Sequence, residues 1–264
     1  MARPISLAQA EQTRGLLTLF NGTNVYISTY IGGDIARRKL EQPPIPDAPS
    51  DDELRPMAYL VEQEPKTAIH PHFHRSDQFQ LFVGGNGMIG KRTINGFALH
   101  YAGAYTTYGP INSGEQGVKY LTLRNGWDPG ASWMPQSRDL LKQAGPRERR
   151  HHMVDISLAM TEVGEVGKRT LIDPAGDGVG AWLYRLGSAE SAVGPDPVLG
   201  RGQYWIVLGG DVRLDDHAAD LFSCTYIDCS EPAARAVAGP QGAAFVVLQF
   251  PRRDFAGSVG QVPS

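Results

Sequence analysis

The chain has 264 residues and a formal net charge of −3, from 25 basic and 28 acidic side chains. A nucleic-acid-binding protein needs an excess of Lys and Arg to contact phosphates, so this balance argues against a nucleic-acid partner. The 31 Gly and 19 Pro residues lie among short runs of Val, Ile, Leu, Tyr and Phe. This pattern favours an all-β fold with many turns, in two domains of about 130 residues or in one large domain.

No apolar run of signal-peptide length lies near the start of the sequence, and no segment approaches the ~18 apolar residues of a membrane span. We therefore expect a cytoplasmic protein with no membrane partner. The two cysteines, Cys224 and Cys229, match neither a zinc-binding spacing nor a disulfide framework. We expect both to be reduced thiols.

In chain order, the pattern first predicts a short helix at residues 7–16 and a strand at Asn24–Ile31. Residues 41–52 contain several prolines and predict a loop, because proline cannot donate to a β ladder. Further strands are predicted at residues 55–62, 70–83, 88–92, 97–101, 104–108 and 118–124. Short strands separated by turns at this spacing are typical of a sandwich or a small barrel.

The strand predicted at residues 70–83 is rich in histidine. Successive side chains of a strand face opposite ways, so one face carries His70, His72, His74, Gln78 and Gln80. The other face carries Phe79, Leu81 and Val83. Three imidazoles followed by two carboxamides, backed by an apolar face, suit a cavity that holds a metal ion or a polar ligand.

A helix is predicted at residues 137–145, where Ser137 can cap its start and Gly145 can end it. This helix lies where a linker between two halves would be. We accordingly expect one domain at residues 1–135, and a second at 136–264 that includes the linker helix. The basic stretch at 147–152 is interpreted as a solvated part of the linker, and exposed positions are expected for His151, His152 and His217.

The second half of the sequence repeats the first at a constant offset of 125 residues. Identical pairs at this offset include Tyr59 and Tyr184, Gln78 and Gln203, Gly84 and Gly209, Gly85 and Gly210, and Leu123 and Leu248. A single offset held over this length indicates a duplicated β domain.

The histidines do not take part in the repeat. The positions that correspond to His70, His72 and His74 are occupied by Pro195, Pro197 and Leu199. A residue set present in one copy alone is expected of a site and not of the scaffold.

The segment His72-Phe73-His74, with Gln78 and Gly85 after it, resembles the first motif of the cupin superfamily, G(X)5HXH(X)3-4E(X)6G. Gln78 stands in the Glu position and Lys66 in that of the opening Gly. A register shifted to His70, His72, Asp77 and Gly84 also satisfies the pattern and would supply a carboxylate. We prefer the first register because its ligands keep one strand parity.

The second cupin motif, G(X)5PXG(X)2H(X)3N, would begin at Gly103 and place Gly114 where the family has its third histidine. A register that uses Pro110 brings Glu115 to this place instead. His70 is another candidate for the third ligand, and the alternative is that nothing replaces it.

The resemblance implies a bicupin, with two tandem antiparallel jelly-roll barrels joined by a short helical linker and a degenerate second barrel. It also implies a divalent ion (Fe, Mn, Ni, Cu or Zn) held by His72, His74 and Gln78, and, by analogy, a homodimer. Other residues are candidates for catalysis or substrate contact: His70, Gln80, Tyr105 and Tyr108. His100 is expected at the surface or in packing.

Three classes of function remain open. The first is a metal-dependent enzyme that acts on a small oxygenated metabolite as an oxygenase, isomerase or lyase, as cupin dioxygenases and their relatives do. The second is a metal-free acid/base enzyme in which Gln78 and Gln80 orient the substrate of a pocket histidine. The third is a non-catalytic binder of small molecules. The missing ligand favours the binder, whereas histidines kept in one copy favour an enzyme, and we expect an enzyme with a small-molecule substrate.

Overall fold

The computed structural model describes residues 3–32, 54–126, 128–145, 148–158 and 167–252. The chain divides into two compact units, Ile5–Ala159 and Met160–Ser264 with Met1–Pro4. The strand pairs of both units are antiparallel, which confirms the predicted all-β fold of two tandem jelly rolls. No helix in the described ranges has the length and apolar character needed to span a membrane.

In its described residues, the first unit contains the short helices α1 (Leu7–Glu11) and α2 (Arg138–Gln143). Its strands are β1 (Gly15–Thr18), β2 (Asn24–Ile31), β3 (Leu54–Gln63), β4 (Ala68–Ile69), β5 (His72–Phe73), β6 (Gln78–Ile89), β7 (Arg92–Asn95), β8 (Ala98–Ala102), β9 (Ile111–Gly126), β10 (Ser132–Trp133) and β11 (His151–Asp155). The main sheet has the order β1-β2-β3-β9-β6-β8-β11, with β4 on β9 and β7 on β6. Strands β5 and β10 form a separate pair.

The second unit repeats the central part of this arrangement. Its strands are β12 (Gly167–Ile172), β13 (Gly180–Leu186), β14 (Ser191–Val193), β15 (Gln203–Leu214), β16 (His217–Ala219), β17 (Cys224–Ile227) and β18 (Arg235–Gln249). The sheet order is β12-β13-β18-β15-β16, with β14 on β18 and β17 on β15. Strand β15 begins 125 residues after β6, as the repeat predicts. Cys224 and Cys229 are free thiols, as expected.

The repeated glycine pairs belong to the fold. The β6–β9 register shifts between Phe82 and Gly84 and again after Gly85. Gly85 has φ +76, and a Cβ there would overlap the carbonyl oxygen of Gly117. Gly210, with φ +64, has the same relation to the carbonyl of Gly242 in the second unit. A left-handed backbone pressed against another strand requires glycine, which explains why both copies keep it.

Several elements differ from their predicted bounds. The first helix ends at Glu11, because Gly15–Thr18 pairs with β2 as a strand. The histidine-rich strand predicted at residues 70–83 is broken into β5 and the first part of β6. In place of the strand predicted at residues 104–108, residues 104–105 form a turn and Tyr108 forms an isolated bridge with His72. The predicted loop at 41–52 lies outside the described residues.

The helix predicted at residues 137–145 is present as α2, but it lies within the first unit and not between the two units. Ser137 is its N-cap residue, although its side chain makes no capping hydrogen bond. The chain divides at residues 159–160, later than the expected boundary at 135. The reason is that β11 pairs with β8 along its whole length, which joins His151–Asp155 to the first unit.

Candidate functional site

A cluster of buried polar side chains lies in the first unit, where β5, β6 and β9 meet the turn before β9. His72 is on β5, Gln78 begins β6, Arg124 is near the end of β9, and His74 and Tyr108 lie in the adjoining segments. All five side chains are buried. We call these five residues the polar cluster.

Backbone pairing places the members of this cluster. His72 and Tyr108 exchange two backbone hydrogen bonds of 3.1 and 3.0 Å, which brings their ring centroids to 4.6 Å. Phe79 pairs with Leu123 across the β6–β9 ladder. Gln78 and Arg124 are the next residues along the two strands, and their side chains lie side by side.

One half of the cluster joins His72, Tyr108 and Gln78. Nδ1 of His72 donates to the carbonyl oxygen of His70 at 2.7 Å, so Nε2 of the neutral ring is an acceptor. Tyr108 Oη lies 2.9 Å from that Nε2 and donates to it. Gln78 Nε2 in turn donates to Tyr108 Oη at 2.7 Å. The tyrosine hydroxyl therefore connects an imidazole to a carboxamide.

The other half centres on the guanidinium of Arg124. Its Nε donates to Gln78 Oε1 at 2.9 Å, and its Nη2 lies 3.0 Å from Nε2 of His74. His74 Nδ1 donates to the carboxylate of Asp128 at 2.8 Å. Asp128 also accepts from the backbone N–H groups of Arg75 and Gly130, each at 2.8 Å. A buried cation and a buried anion are thus connected through one imidazole.

Burial sets the protonation of the uncharged members. It lowers the pKa of His72 to about 3, with the charge of Arg124 acting in the same direction. Burial also raises the pKa of Tyr108 well above its usual value. At neutral pH the imidazole of His72 is neutral and the phenol of Tyr108 keeps its proton.

The two charged groups stay ionised. Burial alone would raise the pKa of Asp128, but the charge of Arg124 and the hydrogen bond from His74 hold it well below its usual range. Burial would lower the pKa of Arg124, but Tyr59 and Asp128 raise it. Arg124 and Asp128 therefore form a buried charge pair, with Nη1 and Oδ1 at 3.7 Å.

Gln80 and His100 form a second buried pair beside the cluster. They face each other across β6 and β8, and His100 Nδ1 donates to Gln80 Oε1 at 2.7 Å. The His100 ring makes an edge contact with Tyr108, with centroids 4.9 Å apart, and another with His151 at 4.7 Å. Of the two positions expected for His100, at the surface or in packing, the structure supports packing, because β11 pairs with β8 along its outer edge and the ring is buried.

Two predicted catalytic residues lie away from the cluster. The side chain of His70 is exposed, and only its carbonyl oxygen contacts His72. Tyr105 has φ +58 in the turn after β8 and stacks on Phe73, with ring centroids 5.8 Å apart. Of the four predicted catalytic residues, the structure brings Gln80 and Tyr108 to the site. As expected, His151 and His152 are exposed.

The candidates for a third metal ligand also lie elsewhere. Gly114 is on β9, where a Cβ would meet the side chain of Asn86. Glu115 is exposed and forms an ion pair with Lys66 at 2.9 Å. The second motif therefore does not begin at Gly103, and Tyr108 occupies the place beside His72 that the third ligand would need.

Arg124 and Asp128 were not among the sequence candidates. A signal for Arg124 was present, since Thr122 and Arg124 share a parity on β9 that alternates with Leu121 and Leu123. A charged residue at the end of an otherwise apolar strand indicates a buried partner. Asp128 lies outside any strand, and its role follows only from the fold.

The matching region of the second unit is filled with aromatic rings. Gln203 Nε2 donates to Gln249 Oε1 at 2.7 Å, and Trp205, which corresponds to Gln80, donates to Gln203 Oε1 at 3.1 Å. The Trp205 ring stacks with those of Tyr184 and Phe245 at 6.3 and 5.3 Å. Among its described residues, the second unit thus keeps the carboxamide but shows no buried charge pair at this place.

The arrangement does not fit a divalent metal ion. Among the residues that the structure describes, no three His, Cys, Asp or Glu side chains are placed to hold one. Nε2 of His72 and Nε2 of His74 are the atoms that would bind the ion, but they already accept hydrogen bonds from Tyr108 and Arg124. Oε1 of Gln78 also accepts from Arg124.

Solved structures of similar fold cover most of the chain. A pirin of Escherichia coli, in complex with nickel(II), has 12% identity and a TM-score of 0.57, with 96% of this chain and 100% of that chain covered. Bacillus subtilis oxalate decarboxylase, from work on its Mn(II) centres, has 9% identity and a TM-score of 0.53, with coverage of 95% and 78%. The coconut allergen cocosin has 11% identity and a TM-score of 0.53, with coverage of 87% and 82%.

At these identities the similarity shows the fold alone. No protein-family model and no curated protein matches the sequence.

Proposed function

Since the chain has the cupin fold in two tandem copies, we propose that its first barrel binds a small hydroxylated metabolite without a metal ion. The observation that carries this proposal is Nε2 of His100, a buried atom with no hydrogen-bond partner in the described part of the chain. Because Nδ1 of the same ring donates to Gln80, Nε2 carries a lone pair. An unpaired buried acceptor costs ~1–3 kcal/mol, which a ligand hydroxyl would recover.

Two hydroxyl groups in the segment that leads to Tyr108 support the same assignment. The Oγ1 atoms of Thr106 and Thr107 are also buried, with no partner among the described residues. Both threonines directly precede Tyr108, whose ring contacts His100. The unsatisfied polar atoms of His100 and of this segment suit a ligand rich in oxygen.

The protonation of the cluster favours binding over metal-free acid/base catalysis. An efficient general acid or base has a pKa near the operating pH. The pKa of His72 is about 3 and that of Tyr108 is well above its usual value. Neither group exchanges protons readily near neutral pH, so among the metal-free alternatives we propose a binder.

The test is a thermal-shift screen of the full chain against small hydroxy acids, polyols and phenols, followed by titration calorimetry of any hit. In the His100→Asn variant, the amide can still donate to Gln80, but the Nε2 lone pair is gone. We expect this variant to lose affinity by about tenfold or more. Thr225→Val is the matched control, since Thr225 stands at the corresponding position of the second unit, with an Oγ1 that is also buried and has no partner among the described residues. Equal ligand affinity in the parent and in His100→Asn would contradict the proposal.

A divalent-metal enzyme of the oxygenase, isomerase or lyase type is the second candidate. The observation in its favour is that Nε2 of His72 and of His74 are both acceptors, as metal ligation requires. Metal analysis of untagged protein, alongside His72→Ala and His74→Ala, tests this candidate. Stoichiometric metal in the parent that is lost in both variants would favour it over the metal-free binder.

The expected homodimer is also a proposal, by analogy with the fold. Light scattering of the purified chain measures its mass in solution and decides it.

A further inference from the structure

We infer that the guanidinium of Arg124 takes the place of the divalent cation in the first barrel and excludes that cation. This inference rests on the proposed function, because it explains why the proposed binder holds no metal ion. Two of the three atoms expected to bind a metal, His74 Nε2 and Gln78 Oε1, accept hydrogen bonds from Arg124. The third, His72 Nε2, accepts from Tyr108. Every expected ligand atom is thus bound to a donor of the protein itself.

The charges around Arg124 are balanced without a metal. The guanidinium is always protonated and offers five donors in a fixed plane, and the carboxylate of Asp128 neutralises it through His74. A divalent ion at His74 and Gln78 would lie beside this buried positive charge, and the low dielectric would strengthen their repulsion. The guanidinium of Arg124 therefore supplies the positive charge that a metal ion would otherwise supply at this site.

The identity of residue 78 fits the same account. A metal centre gains affinity from a carboxylate ligand, whereas the neutral amide of Gln78 can accept from Arg124 and donate to Tyr108 at the same time. A glutamate at this position, deprotonated at neutral pH, would have no proton to donate to Tyr108. Gln78 therefore suits an arginine and a tyrosine as partners better than it suits a metal ion.

The second unit indicates that this site tolerates a neutral residue in place of arginine. Gln249 occupies the position that corresponds to Arg124, and its side chain accepts a hydrogen bond from Gln203. The fold thus accommodates a Gln–Gln pair where the first unit has Gln and Arg. Arg124→Gln is for this reason a substitution with a precedent in the same chain.

The test measures metal binding by the full chain after treatment with a chelator. The parent, Arg124→Gln, Gln78→Glu and the double variant are dialysed against Ni²⁺ or Mn²⁺, and bound metal is counted by elemental analysis. We expect the parent to bind no stoichiometric metal. We expect the double variant to bind one ion per chain, with an affinity at least about tenfold above that of the parent, and to lose it again with His72→Ala or His74→Ala.

Two controls keep the result interpretable. Arg14→Gln removes an arginine that pairs with Glu62 at 2.6 Å, outside the cluster, and should leave metal binding as in the parent. If the double variant does not fold, the Arg124→Gln variant alone should still bind metal more tightly than the parent.

One ion per chain in the parent, lost in His72→Ala and His74→Ala, would overturn the inference. Folded variants without Arg124 that bind no more metal than the parent would also overturn it. These outcomes leave the His100 test untouched, because that test measures the affinity for an organic ligand and not for a metal.

Discussion

Arg124 donates to the side-chain oxygen of Gln78 in the first unit, and the same two positions in the second unit are occupied by Gln249 and Gln203. The contact between the two strands is kept, while the charge is present in one copy alone. The duplicated scaffold thus carries a buried ion pair in its first copy, and burying a charge is costly unless it is paired. This comparison assigns the strand contact to the fold and the guanidinium to the site.

Replacing Asp128 by Asn should destabilise the first unit strongly. The substitution removes the carboxylate that balances Arg124 and orients His74, and leaves a buried guanidinium without its counter-charge. Loss of one member of a buried pair costs ~3–5 kcal/mol. Urea unfolding measures the change in the free energy of unfolding.

The control for this prediction is Asp139→Asn. Asp139 is exposed and pairs with Lys142 at 3.2 Å on helix α2, and exposed pairs contribute ~0–1 kcal/mol. Equal stabilities of the two variants would mean that the charge pair of the cluster contributes nothing.

Replacing Tyr108 by Phe should also be destabilising, although the ring is kept. The hydroxyl donates to His72 and accepts from Gln78, so its removal leaves two buried polar groups without their partner. Each such group costs ~1–3 kcal/mol. Thermal and urea unfolding should both show the loss.

Tyr184→Phe provides the contrast in the second unit. The hydroxyl of Tyr184 is buried and has no hydrogen-bond partner among the described residues, so its removal should be neutral or slightly stabilising. A loss at Tyr184 as large as that at Tyr108 would show that the hydrogen bonds of Tyr108 are not the cause.

The two adjacent glycines of the first bulge should respond differently to alanine. Gly85→Ala forces a side chain into a left-handed backbone and onto the carbonyl of Gly117, which should cost more than ~1–2 kcal/mol. A Cβ at Gly84 would meet only the Cβ of Lys119, at 3.9 Å, so Gly84→Ala should fold almost as well as the parent. Similar losses in both variants, measured by urea unfolding, would contradict this account of the bulge.

The fold could be predicted because its signals are local or repeated. The offset of 125 residues correctly carries Gly84-Gly85 to Gly209-Gly210, but the strand break expected between residues 83 and 88 is a bulge inside the continuous strand β6. The convergence of His72 with Gln78 was also within reach, since both lie in one short segment. Both features can be recognised in the sequence, one from the repeat and the other from residues close together in the chain.

The positions of the site residues that the sequence did not predict depend on which strands pair and on where strands are interrupted. Arg124 reaches Gln78 only because β6 pairs with β9, and His100 is buried because β11 pairs with β8. No sequence pattern specified either strand pairing. His70 was misplaced because strand parity holds only along a continuous strand, and the chain leaves β4 before it enters β5. Tyr105 was misplaced for a related reason, since the backbone turns there with φ +58.

The stability of the first unit should fall in acid, and His100 should account for part of this fall. Burial lowers its pKa well below the usual value, and His151 and His72 add to the effect. The unfolded chain therefore takes up a proton at this residue below about pH 6.5, whereas the folded chain does not. The stabilisation is complete above that pH and is lost as the pH falls towards the folded-state pKa.

His100→Asn removes this titration while the amide can still donate to Gln80, which isolates the contribution of one proton. Between about pH 6.5 and 4.5 the free energy of unfolding of the parent should fall more steeply than that of the variant, by up to ~1.4 kcal/mol per pH unit. His72 acts with the same sign and is unchanged in both proteins, so the variant should keep a smaller slope of its own. Urea unfolding at a series of pH values gives both slopes. Parallel slopes would mean that His100 is not held neutral in the folded chain.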